Sequence, residues 1–206
     1  MLNRGFTLIE VLVTLVILTF GLLGIAGLMA KGQRASFEAF ERQQAVSLAS
    51  DMAERVRANR TQGAVYAAAV RSGTSPVGGE GNQYDGLLHG GVKDCGTFTC
   101  TPAELAAYDV ALWDGMLTGY SESVVVGGAK VGGIVNARGC IDESVNTLGA
   151  CPASQSYTRS LRISVAWQGN EDTVVPTVSI CGQGAYPTET KRRVAVLDLM
   201  ILQPCP

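Results

Sequence analysis

From Phe6 to Ala30 the chain carries a single ionisable side chain, Glu10, among Leu, Val, Ile, Phe, Thr, Met, Ala and Gly. Roughly 20 apolar residues in helical form cross a bilayer, so this segment is long enough to span one. A carboxylate at the centre of such a helix costs roughly 2.5–3.5 kcal/mol and is retained where it meets a partner. Glu10 therefore constrains the chain twice: its surroundings must be helical and apolar, and a cation must come from somewhere else. A cleaved secretory signal would pair a basic start with an apolar core of about 7–15 residues. Arg4 supplies the base, but the apolar run is longer and Glu10 interrupts it. A plain membrane anchor explains the length and not the carboxylate. In a third reading, Gly5 closes a short leader and Phe6 opens the mature chain.

The run Gly5-Phe6-Thr7-Leu8-Ile9-Glu10 resembles the class III leader motif of type IV prepilins and type II secretion pseudopilins, and matches it at every position. The resemblance implies that a prepilin peptidase cuts between Gly5 and Phe6 and N-methylates the new amino terminus. It also implies that Glu10, fifth in the mature chain, pairs with the N-terminal amine of a neighbouring subunit. The physics is consistent with that. An ammonium and a carboxylate a few ångströms apart in low dielectric attract strongly, while either one alone carries a large desolvation cost. Such a pair acts as a register device between staggered helices. Arg4 ahead of the span suits a cytoplasmic leader with the remainder outside.

Beyond the helix about 145 of the 206 residues remain, enough for one domain with its own core. A formal charge of −2 and the lack of a Lys/Arg cluster argue against nucleic-acid partners. Arg55, Arg57 and Arg60 alternate with Asp51 and Glu54 and read as a solvated helix face. The six cysteines, Cys95, Cys100, Cys140, Cys151, Cys181 and Cys205, all follow the apolar run. An even count confined to an exported region indicates disulfides in an oxidising compartment such as a periplasm. Sequence does not choose among the fifteen possible connectivities; pairing neighbours would give Cys95–Cys100, Cys140–Cys151 and Cys181–Cys205. No cysteine pair has a two-residue zinc spacing and His89 is the one histidine, so no metal and no cofactor is expected.

No proline precedes Pro76, and no glycine falls between Gln33 and Arg60. Phe37, Phe40, Ala45, Leu48, Ala49, Met52, Ala53 and Val56 follow the three-four spacing of an amphipathic helix. Glu38–Arg42 and Asp51–Arg55 are favourable i,i+4 pairs. One helix from Phe6 to Arg60 would be about 80 Å long. Gly21, Gly24 and Gly27 would permit close helix approach in a membrane and weaken the helix locally. Major pilins usually carry a proline in this neighbourhood, which this chain lacks.

Gly63 to Gly91 reads as a loop with a turn of helix around Tyr66–Arg71. Thr101-Pro102-Ala103-Glu104 is a helix start: a capping threonine, a proline in the first turn and a glutamate completing a capping box. The helix should run to about Leu117, with Leu105, Tyr108, Leu112 and Met116 toward the core and Trp113 on its flank. Leu161, Ile163, Val165 and Trp167 alternate as in a half-buried strand, and Ala195, Leu197, Leu199 and Ile201 do so again, with Asp198 opposite. Val174–Cys181 is β-branched, with Pro176 suggesting an edge strand. Val124–Val126 and Val131–Ala137 are weaker candidates.

The expected fold class is α+β and pilin-like: a long N-terminal helix, its first half transmembrane, packed against an antiparallel sheet, with one further helix near 102–117. The parts are a leader (1–5), a transmembrane and assembly helix (6–30), its amphipathic continuation (31–60) and a globular periplasmic domain (61–206). More narrowly, Leu48–Asn59, Ser164–Gly169 and Arg192-Arg193-Val194 resemble segments of PilV-type minor pilins.

No enzyme is expected. A hydrolase needs a histidine base, and His89 sits in Leu88-His89-Gly90-Gly91 without a nucleophile motif; Asp142-Glu143 and Glu171-Asp172 read as turn carboxylates. The resemblance implies a non-catalytic minor pilin that promotes pilus assembly. It would be held first in the inner membrane with its domain in the periplasm, then in the pilus. Its partners would be other minor pilins, the major pilin and, as processing enzyme, the prepilin peptidase. A minor pseudopilin of a type II secretion system is the nearest alternative, and a membrane-anchored adhesin or ligand-binding domain the next.

Overall fold

The structure, a computed structural model, describes residues 5, 7–79, 91–119, 133–144 and 156–204. Helix α1 spans Leu8–Ala58, uninterrupted because no proline or glycine pair breaks its ladder. The chain divides into two units, Met1–Phe40 and Glu41–Pro206. In the first, every described large apolar side chain from Leu8 to Phe40 is exposed. In the second, Glu41, Ala45, Ala49, Met52, Ala53 and Val56 are buried at helical spacing. The buried stripe thus begins at Glu41, and Phe37 and Phe40, expected on it, lie 53% and 62% exposed.

After Asn59 a 3₁₀ turn (Arg60–Gln62) leads into α2, Gly63–Ala69, starting earlier than the turn expected at Tyr66–Arg71. Tyr66 is fully buried. Its hydroxyl donates to Asp109 Oδ2 at 2.5 Å and accepts from Asn59 Nδ2 at 3.2 Å. Arg55 donates to Asp51 at 2.7 Å and to Asp109 Oδ1 at 3.1 Å. Burial, then the bond to Asp109, pushes the Tyr66 phenol far above its usual range. Arg55 is therefore half-buried and ties α1 to α3, whereas the sequence placed it on a solvated face. Arg57 keeps to that face, paired with Glu54.

Helix α3 is Pro102–Thr118, begun by the expected capping box between Thr101 and Glu104 and ended by Gly119 at φ 70°. Its buried face is rotated from the expected one. Ala106, Val110, Trp113 and Leu117 are buried, while Leu105, Tyr108, Leu112 and Met116 are half-buried. Trp113 takes the core position because its indole N–H finds the Leu48 carbonyl at 3.1 Å. A buried tryptophan needs such an acceptor.

Three antiparallel strands, β1 (Arg138–Ser144), β2 (Ser156–Gln168) and β3 (Arg192–Pro204), form a sheet in the order β1-β2-β3. The register sets Ile141 against Ile163 and Ile163 against Leu197. Leu161, Ile163, Val165, Trp167, Leu199 and Ile201 share one core with Met52, Val56, Trp113 and Leu117. Strand β1 was not expected from its sequence. Its order comes from outside itself: Gly139 exchanges hydrogen bonds with Val77 at 2.8 and 2.9 Å, Ile141 N–H bonds the Val70 carbonyl at 2.8 Å, and Asp142 accepts from Ser72. At Gly139 a Cβ would lie 2.7 Å from the Trp113 ring and the Leu117 side chain, so only glycine lets α3 approach so closely.

The segment between β2 and β3 is the second departure. Val174–Cys181 forms no strand. Its carbonyls are taken by arginines: Arg192, 2% exposed, donates to Pro176 (3.0 Å), Ser179 (2.8 Å) and the Glu189 carboxylate (2.6 Å), and Arg162 donates to Val178 (3.1 Å). This segment covers the far face of β2, where Ala166 packs with Cys140, Cys181 and Tyr186. Residues 133–137, expected in part as strand, form a turn with Asn136 at φ 51°. Val124–Val126 lies outside the described residues.

Candidate assembly site

The expected site residues divide between the two units. Gly5 is exposed, Phe6 lies outside the described residues, and α1 begins two positions later at Leu8. Glu10 is in its first turn, with its backbone N–H on the Thr7 carbonyl at 3.1 Å. Four N–H groups at a helix start have no partner within the helix, and the helix dipole adds partial positive charge there. Both favour a carboxylate at that end by about 0.3–1 kcal/mol. Among the described residues Glu10 makes no ion pair, and its side chain is exposed.

What surrounds Glu10 is uniformly apolar. Leu8, Ile9, Leu12, Leu15, Val16, Phe20, Leu22, Leu23 and Met29 are all exposed. The two hydroxyls of the segment are turned onto their own helix, Thr14 to the Val11 carbonyl at 2.9 Å and Thr19 to that of Val16 at 2.8 Å. Glu10 thus remains the one outward polar handle from Leu8 to Ala30. The helix is long and apolar enough to cross a membrane. Such a surface can associate with lipid or with like helices, and the carboxylate can choose a register by pairing with a cation on a neighbour.

The disulfides agree with the neighbour pairing at one bond and depart from it at another. Cys95 bonds Cys100, closing a loop at the start of α3. Cys140 bonds Cys181, not Cys151, and Cys181 is therefore not available to Cys205. The physical reason is topological: Cys140 sits on β1 opposite Ser164, under the segment that carries Cys181. Cys151, Cys205 and His89 lie outside the described residues. The acidic pairs are structural: Asp142 holds Ser72, Glu143 pairs with Arg159, and Asp172 accepts from Thr190. Among the described residues no cluster of His, Cys, Asp or Glu is arranged to hold a metal. Arg192 is the organising residue that the sequence reading missed. A basic residue opening a strand after a long irregular segment was the available signal.

An exposed apolar N-terminal helix joined to a helix-plus-antiparallel-sheet domain is a pilin-like α+β fold. Residues 1–26 match the prokaryotic N-terminal methylation motif, and residues 28–111 match the family described as type IV pilin Tt1218. No curated protein and no solved structure matched. Together the two family matches support a type IV pilin subunit as the class of protein to which this chain is similar.

Proposed function

We propose that this chain is a minor pilin, a non-catalytic subunit that promotes assembly of a type IV pilus. A prepilin peptidase cuts it between Gly5 and Phe6 and methylates Phe6. The protein waits in the inner membrane with its disulfide-bonded domain in the periplasm, then enters the filament among other minor pilins and the major pilin. The observation that carries this reading is the solitary outward carboxylate of Glu10, one turn from the leader junction on a helix whose large apolar side chains from Leu8 to Phe40 all stay exposed. The narrower likeness to PilV-type proteins rests on Leu48–Asn59 and the β2 and β3 segments.

Replacing Glu10 by Ala is expected to leave leader cleavage intact and to remove the subunit from sheared filaments. Mass spectrometry of the mature N-terminus reads the first result and immunoblotting of filaments the second. A mutant assembling at wild-type level would refute the role given to the carboxylate. A chain still beginning at Met1 in its native host would refute processing altogether.

A further inference from the structure

The pairing Cys140–Cys181 skips a cysteine. Cys151 stands between them in sequence, eleven residues from Cys140, whereas Cys181 is 41 away. Chain-closure probability falls with about the three-halves power of loop length, so an unfolded chain joins Cys140 to Cys151 about sevenfold more often than to Cys181. Order of emergence acts in the same direction, since Cys151 leaves a membrane before Cys181 does. The fold adds a third bias. In the folded chain Cys181 meets Cys140 where β2 and β3 are paired and Arg192 holds the carbonyls of Pro176, Ser179 and Cys181, contacts that an unfolded chain lacks. Once formed, the native cystine has both residues fully buried, out of reach of further exchange.

We propose that this chain is a substrate of a protein disulfide isomerase, which converts a first-formed Cys140–Cys151 bond into Cys140–Cys181. The inference rests on the exported placement of the domain argued above. In the first step the thiols of Cys140 and Cys151 pass two electrons and two protons to a disulfide-bearing oxidase, which leaves as a dithiol. The isomerase thiolate then attacks Cys140 Sγ, breaking the bond to Cys151 and releasing Cys151 as a thiolate. The Cys181 thiolate attacks the same Sγ and displaces the isomerase thiolate unchanged. The proton lost by Cys181 ends on Cys151, and no net electrons move in the exchange.

The test uses the full chain, reduced and unfolded, then returned to native buffer in detergent with a glutathione redox pair, with and without a purified disulfide isomerase. Peptide mass spectrometry follows the two bonds. Cys140–Cys151 is expected first, in about sevenfold excess, and the isomerase should speed its conversion at least tenfold. In Cys151→Ser the native bond should form directly, without acceleration. Equal rates of native pairing with and without the enzyme, or acceleration that persists in Cys151→Ser, would overturn the proposal. An isomerase lacking its second active-site cysteine gives a readout independent of the final fold: a covalent adduct at Cys140 of the wild-type chain is expected, and no adduct counts against the idea. None of these results depends on leader cleavage, so the mature N-terminus tests the pilin reading separately.

Discussion

Trp113 is where one side chain decides most. It is fully buried between α1 and the sheet, and its N–H holds the Leu48 carbonyl. Trp113→Ala should cost about 3–5 kcal/mol, read as a lowered denaturation midpoint of the domain. Tyr66→Phe is milder, because it removes only the hydroxyl shared by Asp109 and Asn59; a loss of about 1–2 kcal/mol is expected. Ionisation matters at the surface. The carboxyl of Glu189 is held below its usual range by the Gly184 N–H and then by Arg192, and that of Asp198 by Arg162. A carboxyl whose folded pKa is depressed stabilises above its unfolded value and loses that contribution as pH falls through the folded one. Thermal stability should therefore hold from neutrality to about pH 5 and decline below about pH 4.

At the scale of elements, α3 shows how local and tertiary signals divide. Its start is written in Thr101-Pro102-Ala103-Glu104, and Thr101→Ala should cost about 1 kcal/mol by leaving the Glu104 N–H without its cap. Its orientation is not written locally, since Leu105 and Leu112 are as apolar as the residues that turn inward. The choice falls to the small residues Ala106 and Ala111 and to the indole that finds an acceptor. Strand β1 depends on the same contact from the other side. Gly139→Ala would push a methyl into the Trp113 ring, and overpacking of that kind costs about 1–3 kcal/mol. Urea unfolding of the variant, compared with Trp113→Ala and with the double mutant, measures the coupling: costs that fail to add show that the two groups share one space.

For the whole molecule, the two units answer to different solvents. Glu41–Pro206 contains the core, the sheet and the described disulfides, whereas the helix before it exposes apolar side chains throughout. Removing residues before Gln33 should therefore abolish the need for detergent while leaving the circular dichroism of the sheet unchanged. The Cys140–Cys181 bond closes a loop of 41 residues, and loops of this size are stabilised by about 2–4 kcal/mol. Replacing both cysteines by Ala should lower the domain's melting temperature accordingly.

What the sequence settled on its own was set by composition and short-range chemistry. An apolar run with one carboxylate gives a helix whose apolar side chains find no burial in its own chain before Glu41, a capping box announces the start of α3, and alternation marks β2 and β3. What the tertiary structure decided was every feature whose stabilising partner is distant in the chain. Strand β1 is polar and glycine-containing and takes its order from Val70, Val77 and Asp142's hold on Ser72. The segment after β2 has the composition of a strand, yet gives its carbonyls to Arg192 and Arg162 instead of a ladder. The partner of Cys140 follows from that same burial, because spacing favours the nearer thiol while the packed segment after β2 brings Cys181 onto Cys140.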